Sequence, residues 1–360
     1  MGQTSKINVL RLGFVHYQHP DLASIGRFLE DFGLIKVSQQ GSRAYYRGYG
    51  VDPYIYVAEQ SPSGTREFMG AAWVVESAQD LELAATQANA SPIQTNDGPG
   101  GGQIVSIKDP NNFVVSFIYS QELREREPQA SVARHTTENA SNEALTKQRH
   151  GDFRRFNRGP SLVHKLGHYG FIVPKSKYRD TFDFYLSLIK LKPSDAVYDP
   201  VTGDDKTCFI HIDHGNAHTD HHSFFIGWQA EEGKAAFVHH SSFEVNDFDT
   251  QSLGHDWLQS RGWTNCWGIG RHVLGSQIFD YWFDASGNII EHYSDGDLVN
   301  QNNPFTREAE AEDTLYVWGP NVPLAYITGK LEDALSNPES QKKLPVTMPD
   351  PVAAVEAQFA

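Results

Sequence analysis

The chain repeats itself, and that constrains its fold more than any other feature. The stretch RLGFVHYQHPDLASIGRFLEDFGLIKV, from Arg11, lines up with KLGHYGFIVPKSKYRDTFDFYLSLIKLKPSDAV, from Lys165. Each reads as a strand, a short connection, an amphipathic helix with an aromatic pair, and an LIK exit. Further on, FMGAAWVVES matches FVHHSSFEVND as a strand, and IVSIKDPNNFVVSFIYS matches FDYWFDASGNIIEHYSD as a strand, an Asp-led turn and a strand. Two copies of one pattern must bury matching faces, so the expected class is α+β, with tandem βαβββ modules, single or themselves doubled. Each module is expected to be an incomplete mixed β-barrel with flanking helices. The predicted division is an N-terminal domain over 1–120, a polar and charged linker over 121–160, a C-terminal domain over 161–300 and an extension over 301–360.

The repeat also supplies an internal control on function. On this alignment His168 falls opposite Phe14, His240 opposite Ala71 and Glu291 opposite Ser116. One copy holds residues that pack; the other holds three metal-ligand types. Glu291 sits mid-strand between apolar neighbours, where a carboxylate is costly without a partner. Two imidazoles and a carboxylate on one face of a divalent ion leave positions open, the set that suits non-haem Fe(II) and also accepts Mn(II). Which of His239 and His240 is the ligand stays open here, because strand alternation lets only one face inward. Twelve of the sixteen histidines lie between His164 and His292. The remaining cluster, HIDHGNAHTDHH, is read as a solvated loop because its histidines lack a repeating ligand spacing.

Charge and composition narrow the partners. A formal net charge of −15 argues against nucleic acid or an anionic membrane surface. No apolar run approaches the roughly 20 residues of a membrane span, and the first ten residues lack the apolar centre of a secretory signal. Two cysteines, Cys208 and Cys266, imply no disulfide framework. The expected setting is the cytoplasm, with both cysteines in the core.

The second half resembles the type I extradiol ring-cleaving dioxygenases of the vicinal oxygen chelate superfamily, relatives of catechol 2,3-dioxygenase. The likeness covers roughly residues 8–300. It is carried by Leu166-Gly167-His168, by the His239-His240 pair before a β run ending in Glu244-Val245, and by the strand-turn-strand from Tyr281 to Glu291. The resemblance implies metal ligands His168, His240 and Glu291, holding Fe(II) or Mn(II). It places an acid–base histidine at His222, with His221 as the alternative, and substrate-facing groups at His272, beside Arg271, and Tyr281. Ala285, where a proline is common, Gly170, where some relatives carry a polar residue, and the long linker are departures that bear on substrate.

Such a family implies a catecholic substrate, O2 as co-substrate and a homo-oligomer. His222 would manage a proton while His272 and Tyr281 hydrogen-bond a substrate oxygen. An aromatic pocket is expected near Trp257, Trp263, Trp267, Phe224 and Phe243. The competing readings are another metalloenzyme of the same superfamily, similar to hydroxyphenylpyruvate dioxygenases or glyoxalases, and a non-catalytic module that binds aromatic compounds.

Overall fold

A computed structural model describes residues 5–125, 141–151, 153, 157–230 and 233–335. The first sheet contains β1 (Val9–His19), β2 (Ile35–Gln40), β3 (Arg43–Arg47), β4 (Tyr56–Gln60), β5 (Glu67–Val75), β6 (Gln94–Thr95), β7 (Gln103–Lys108) and β8 (Val114–Tyr119). Its order is β2-β3-β4-β1-β5-β8-β7-β6. Helix α1 (Leu22–Asp31) follows β1, and α2 (Ala78–Ala85) follows β5. The sheet is therefore two βαβββ units joined through the antiparallel pair β1–β5, with β4 parallel to β1 and β8 parallel to β5.

The second sheet repeats this plan. It is built from β9 (Val163–Pro174), β10 (Leu191–Tyr198), β11 (Asp205–Ile212), β13 (Phe224–Gln229), β14 (Phe237–Val245), β15 (Thr264–Arg271), β16 (Ile278–Phe283), β17 (Ile289–Ser294) and β19 (Thr306–Ala309). Strands β12 (Thr219–Asp220) and β18 (Leu298–Val299) form a separate two-stranded ribbon. Helices α3 (Lys175–Leu188) and α4 (Phe248–Ser260) follow the leading strands β9 and β14. Each module is a doubled βαβββ, and β19, beyond residue 300, adds an edge strand parallel to β10. Among the described residues of 141–160, none lies in a helix or strand.

The helices begin where short polar side chains meet free backbone N–H groups. Asp21 accepts from Ala23 and Ser24 at the start of α1, Ser77 from Asp80 in α2, and Asp247 from Thr250 in α4. Their apolar faces pack on the sheets, and one cluster of buried side chains runs continuously from Ile7 in the first module to Ile290 in the second. Polar ties cross this core: Tyr17 Oη to Ser241 Oγ at 2.6 Å, Trp73 Nε1 to Tyr169 Oη at 3.2 Å and His292 Nε2 to the Phe32 carbonyl at 2.7 Å. A second cluster forms where α5 (Leu324–Thr328) and α6 (Leu331–Leu335) pack on β15 and β16. Cys208 and Cys266 are free and buried, as expected.

The registers correct one equivalence. In the first sheet Phe14, Ala72 and Ser116 share a row; in the second His168, Ser242 and Glu291 do. His240 is thus the counterpart of Gly70, one residue from the expected Ala71: the bulges fall at the same places in both sheets, and setting Phe68 against Phe237 slips the linear alignment by one, since the pairing matches Phe68 with Val238.

Candidate metal centre and active site

Three neighbouring strands bring His168, His240 and Glu291 together. They sit on β9, β14 and β17, which are adjacent in the sheet although far apart in sequence. His168 Nε2 lies 3.2 Å from His240 Nε2 and 3.0 Å from Glu291 Oε2, and His240 Nε2 lies 3.5 Å from that oxygen. These are the spacings of adjacent donors around one first-row metal ion with bonds of about 2.1 Å. All three residues are buried, and neither oxygen of Glu291 makes a hydrogen bond. A buried carboxylate with no hydrogen bond, converging with two imidazole nitrogens on one point, offers three ligand atoms to a cation, so the residues fit a divalent ion.

Close backbone approaches hold the rings in place. A Cβ on Gly167 would meet the Tyr293 ring at 2.2–2.5 Å, and a Cβ on Gly170 would meet the Phe225 ring at 2.3–2.4 Å. Tyr293 packs 5.6 Å from the His168 ring, while Phe225 lies 4.7 Å from the His240 ring. Both glycines therefore let an aromatic ring wedge a histidine.

The tautomer of His240 is also set. His239 Nε2 donates to the Tyr326 carbonyl at 2.7 Å, and the Nδ1 atoms of His239 and His240 are 2.7 Å apart. With its proton on Nε2, His239 accepts at Nδ1, so His240 carries its proton on Nδ1 and keeps a lone pair on Nε2. Burial, reinforced by His239, pushes His240 well below the ordinary imidazole range, which keeps it neutral as a ligand must be. The pair divides as its position on the strand requires, with His240 in the donor cluster and His239 behind it.

Around this centre stand the other expected residues. His222 is buried, its ring 4.1 Å from that of His168; burial and then the His168 charge push it well down. His272 Nδ1 donates to the Leu315 carbonyl at 2.6 Å, and its Nε2 lies 2.9 Å from Tyr281 Oη. Tyr281 pairs directly with Glu291 across the β16–β17 hairpin. Burial and the Glu291 charge push its phenol up, so the hydroxyl keeps its proton. In the first module the equivalent pair is Ser106 and Ser116, whose hydroxyls bond each other at 2.8 Å.

His168, His222, His240, His272 and Tyr281 all line one cavity of about 1160 Å³. Its aromatic wall differs from the one expected. Phe68, Phe113, Phe209, Phe225, Phe237 and Tyr326 line it, whereas Phe224 and Phe243 are in the core, Trp267 packs with the C-terminal helices, and neither Trp257 nor Trp263 reaches the space. Trp257 on α4 and Trp263, just before β15, bond Asp31 instead. The histidine-rich loop is likewise less solvated than expected: His211 is buried against Ser194, while His214 bonds the Leu10 carbonyl. Sequence reasoning missed Asp195, Leu315 and Tyr326, which anchor the outer nitrogens of His221, His272 and His239. The last two act through backbone carbonyls, which no residue type announces.

No protein-family profile matches the chain. Over 167 residues it is 31% identical to metapyrocatechase 2 of Cupriavidus necator, a match spanning 46% of this chain and 48%, about half, of that relative. Among solved structures, the homoprotocatechuate 2,3-dioxygenase of Brevibacterium fuscum with 3,4-dihydroxyphenylacetate superposes with a TM-score of 0.72 at 16% identity, covering 91% of this chain and 94% of that one. The fold is that of the vicinal oxygen chelate superfamily. The vicinal oxygen chelate fold is seen again in the homoprotocatechuate 2,3-dioxygenase of Arthrobacter globiformis, TM-score 0.72 at 18% identity over 90% and 92% of the chains. The Mn(II)-bound glyoxalase of Novosphingobium aromaticivorans shares it too, at TM-score 0.70 and 18% identity over 88% and 93%. No helix among the described residues is long and apolar enough to cross a membrane.

Proposed function

We propose that this chain is an extradiol dioxygenase, an oxidoreductase that opens the ring of a catechol beside its vicinal diol with O2, using Fe(II) held by His168, His240 and Glu291. The observation that carries the reading is the buried Glu291 carboxylate, which has no hydrogen bond and faces two imidazole nitrogens within 3.5 Å. When bound, a divalent iron lowers the pKa of a diol hydroxyl and passes electron density from the ring to dioxygen. Mn(II) suits the same donors.

The protein's own groups do the rest. His222, neutral and bordering the cavity, is placed to take a proton from the diol and return it to an oxygen of the opening ring. Tyr281 Oη and His272 Nε2 form a hydrogen-bonded pair that a substrate oxygen can join, since the Leu315 carbonyl already holds the other imidazole nitrogen. Phe225 and Phe209 flank His240 and His222, keeping water from the reacting oxygens and offering apolar surface to an aromatic ring. The same reading carries a cytoplasmic setting and a homo-oligomeric assembly, the latter measurable by light scattering.

Metal analysis followed by oxygen uptake with a panel of catechols tests the proposal. The expected result is stoichiometric iron, oxygen consumption and a yellow conjugated ring-opened product. A muconate, formed by cleavage between the hydroxyls, or iron-loaded protein that consumes no oxygen with any catechol, would overturn it.

A further inference from the structure

The chain contains two adjacent histidine pairs built alike. In His239–His240 and in His221–His222 the two rings meet through their Nδ1 atoms, at 2.7 Å and 3.1 Å. Two Nδ1 atoms in contact share one proton, so one must donate and the other accept. In each pair the outer ring is committed at its far nitrogen. His239 Nε2 meets the Tyr326 carbonyl, and His221 Nε2 meets Asp195 Oδ2 at 2.5 Å. A carbonyl and an ionised carboxylate only accept, so both outer rings carry their proton on Nε2 and present a lone pair at Nδ1. The proton between the rings then belongs to the inner histidine.

We infer that His221 and Asp195 are positioning residues that lock His222 in its Nδ1–H tautomer, leaving the Nε2 lone pair open to the cavity. This rests on the dioxygenase reading only for the proton that His222 would then take. Asp195 is fitted to the task. It lies on β10, paired in register with Thr306 of β19, whose hydroxyl donates to its other carboxylate oxygen. The segment beyond residue 300 therefore fixes the carboxylate, which fixes the outer ring. Ser194 Oγ donates to the His221 carbonyl at 2.5 Å and holds the backbone at the pair. Gly275 lies beside the ring, where a Cβ would sit 2.7 Å from His221 Nδ1, so the absence of a side chain there leaves the imidazole its place against His222.

The anchors differ in one respect. The ligand pair ends on a neutral carbonyl, while the His222 pair ends on a carboxylate, and a charge-assisted bond holds its donor more firmly. His240 would also be held by its metal; His222 has no such bond and depends on the outer ring.

Long-range proton–nitrogen spectra of the zinc-loaded full chain, labelled with nitrogen-15 histidine, read the tautomer directly, and the His222 signals are assigned by their loss in His222→Phe. The parent is expected to show His222 protonated at Nδ1 alone. In Asp195→Ala the outer ring is free to exchange its proton, and in His221→Phe the acceptor is gone; both should move His222 to a tautomer mixture. His221→Asn places an amide oxygen near the former Nδ1 and should retain the single tautomer. With iron, Asp195→Ala should lower kcat about 10–100-fold with KM and metal content near parental values. A His222 tautomer unchanged in both Asp195→Ala and His221→Phe overturns the inference, whatever the activity. If the tautomer responds but no catechol is cleaved by the parent, the positioning stands and the dioxygenase reading falls.

Discussion

Glu291 is the residue whose environment says most about the molecule. Fully buried, with no hydrogen bond to either oxygen, it is paid for only when a cation shares the site with it. Metal-free Glu291→Gln should therefore be more stable than the metal-free parent by about 1–3 kcal/mol in urea unfolding. With metal at about 1,000 times its dissociation constant, the parent gains about 4 kcal/mol and the order reverses. His240 and His222, similar in burial, should separate by role. His240→Ala is expected to lose tight iron binding, measured by metal analysis after dialysis. His222→Phe should retain iron and lose about 10²–10⁴ in kcat, the usual share of a general acid–base group. Iron content in His240→Ala equal to that of the parent would remove it from the ligand set.

At the scale of the strand, the same backbone that carries the ligands must admit the rings that wedge them. On β9, Gly170 leaves room for Phe225 against His240. A Gly to Ala change in a strand ordinarily helps, but here the added methyl overlaps the ring, so Gly170→Ala should cost about 1–3 kcal/mol and weaken metal binding. On β11, burial and then the Lys192 charge push the buried His211 down to about 4 from its ordinary 6.5. The unfolded chain then takes up the proton first as pH falls. The contribution of the neutral ring is fully present above pH 6.5 and is lost as pH drops toward 4, with a slope of up to about 1.4 kcal/mol per pH unit. His211→Asn should keep a polar partner for Ser194 and flatten the stability profile in that window. An unchanged profile would show that His211 is not the group responsible.

At the scale of the whole molecule, one core spans both sheets, and buried hydrogen bonds such as Tyr17 to Ser241 cross between them. Two modules sharing that much interior should unfold together, so far-UV circular dichroism and tryptophan fluorescence are expected to give coincident transitions; separate midpoints would mean independent modules. The repeat, the βαβββ pattern and the hairpin that sets Tyr281 opposite Glu291 were legible in the sequence because periodicity and turn chemistry act over a few residues. His168, Glu291 and the His239–His240 pair also stood out, since ligand types in one copy face packing residues in the other, while the choice of His240 within the pair came from the family resemblance alone. Only the folded chain decided that His240 matches Gly70, that Phe209 and Phe225 wall the cavity in place of the nearby tryptophans, and that Asp195, Leu315 and Tyr326 anchor three imidazoles. The reason is physical: a one-residue slip between two similar strands leaves their composition unchanged and is settled only by pairing, and a backbone carbonyl acquires a role only when distant strands and a C-terminal segment close around it.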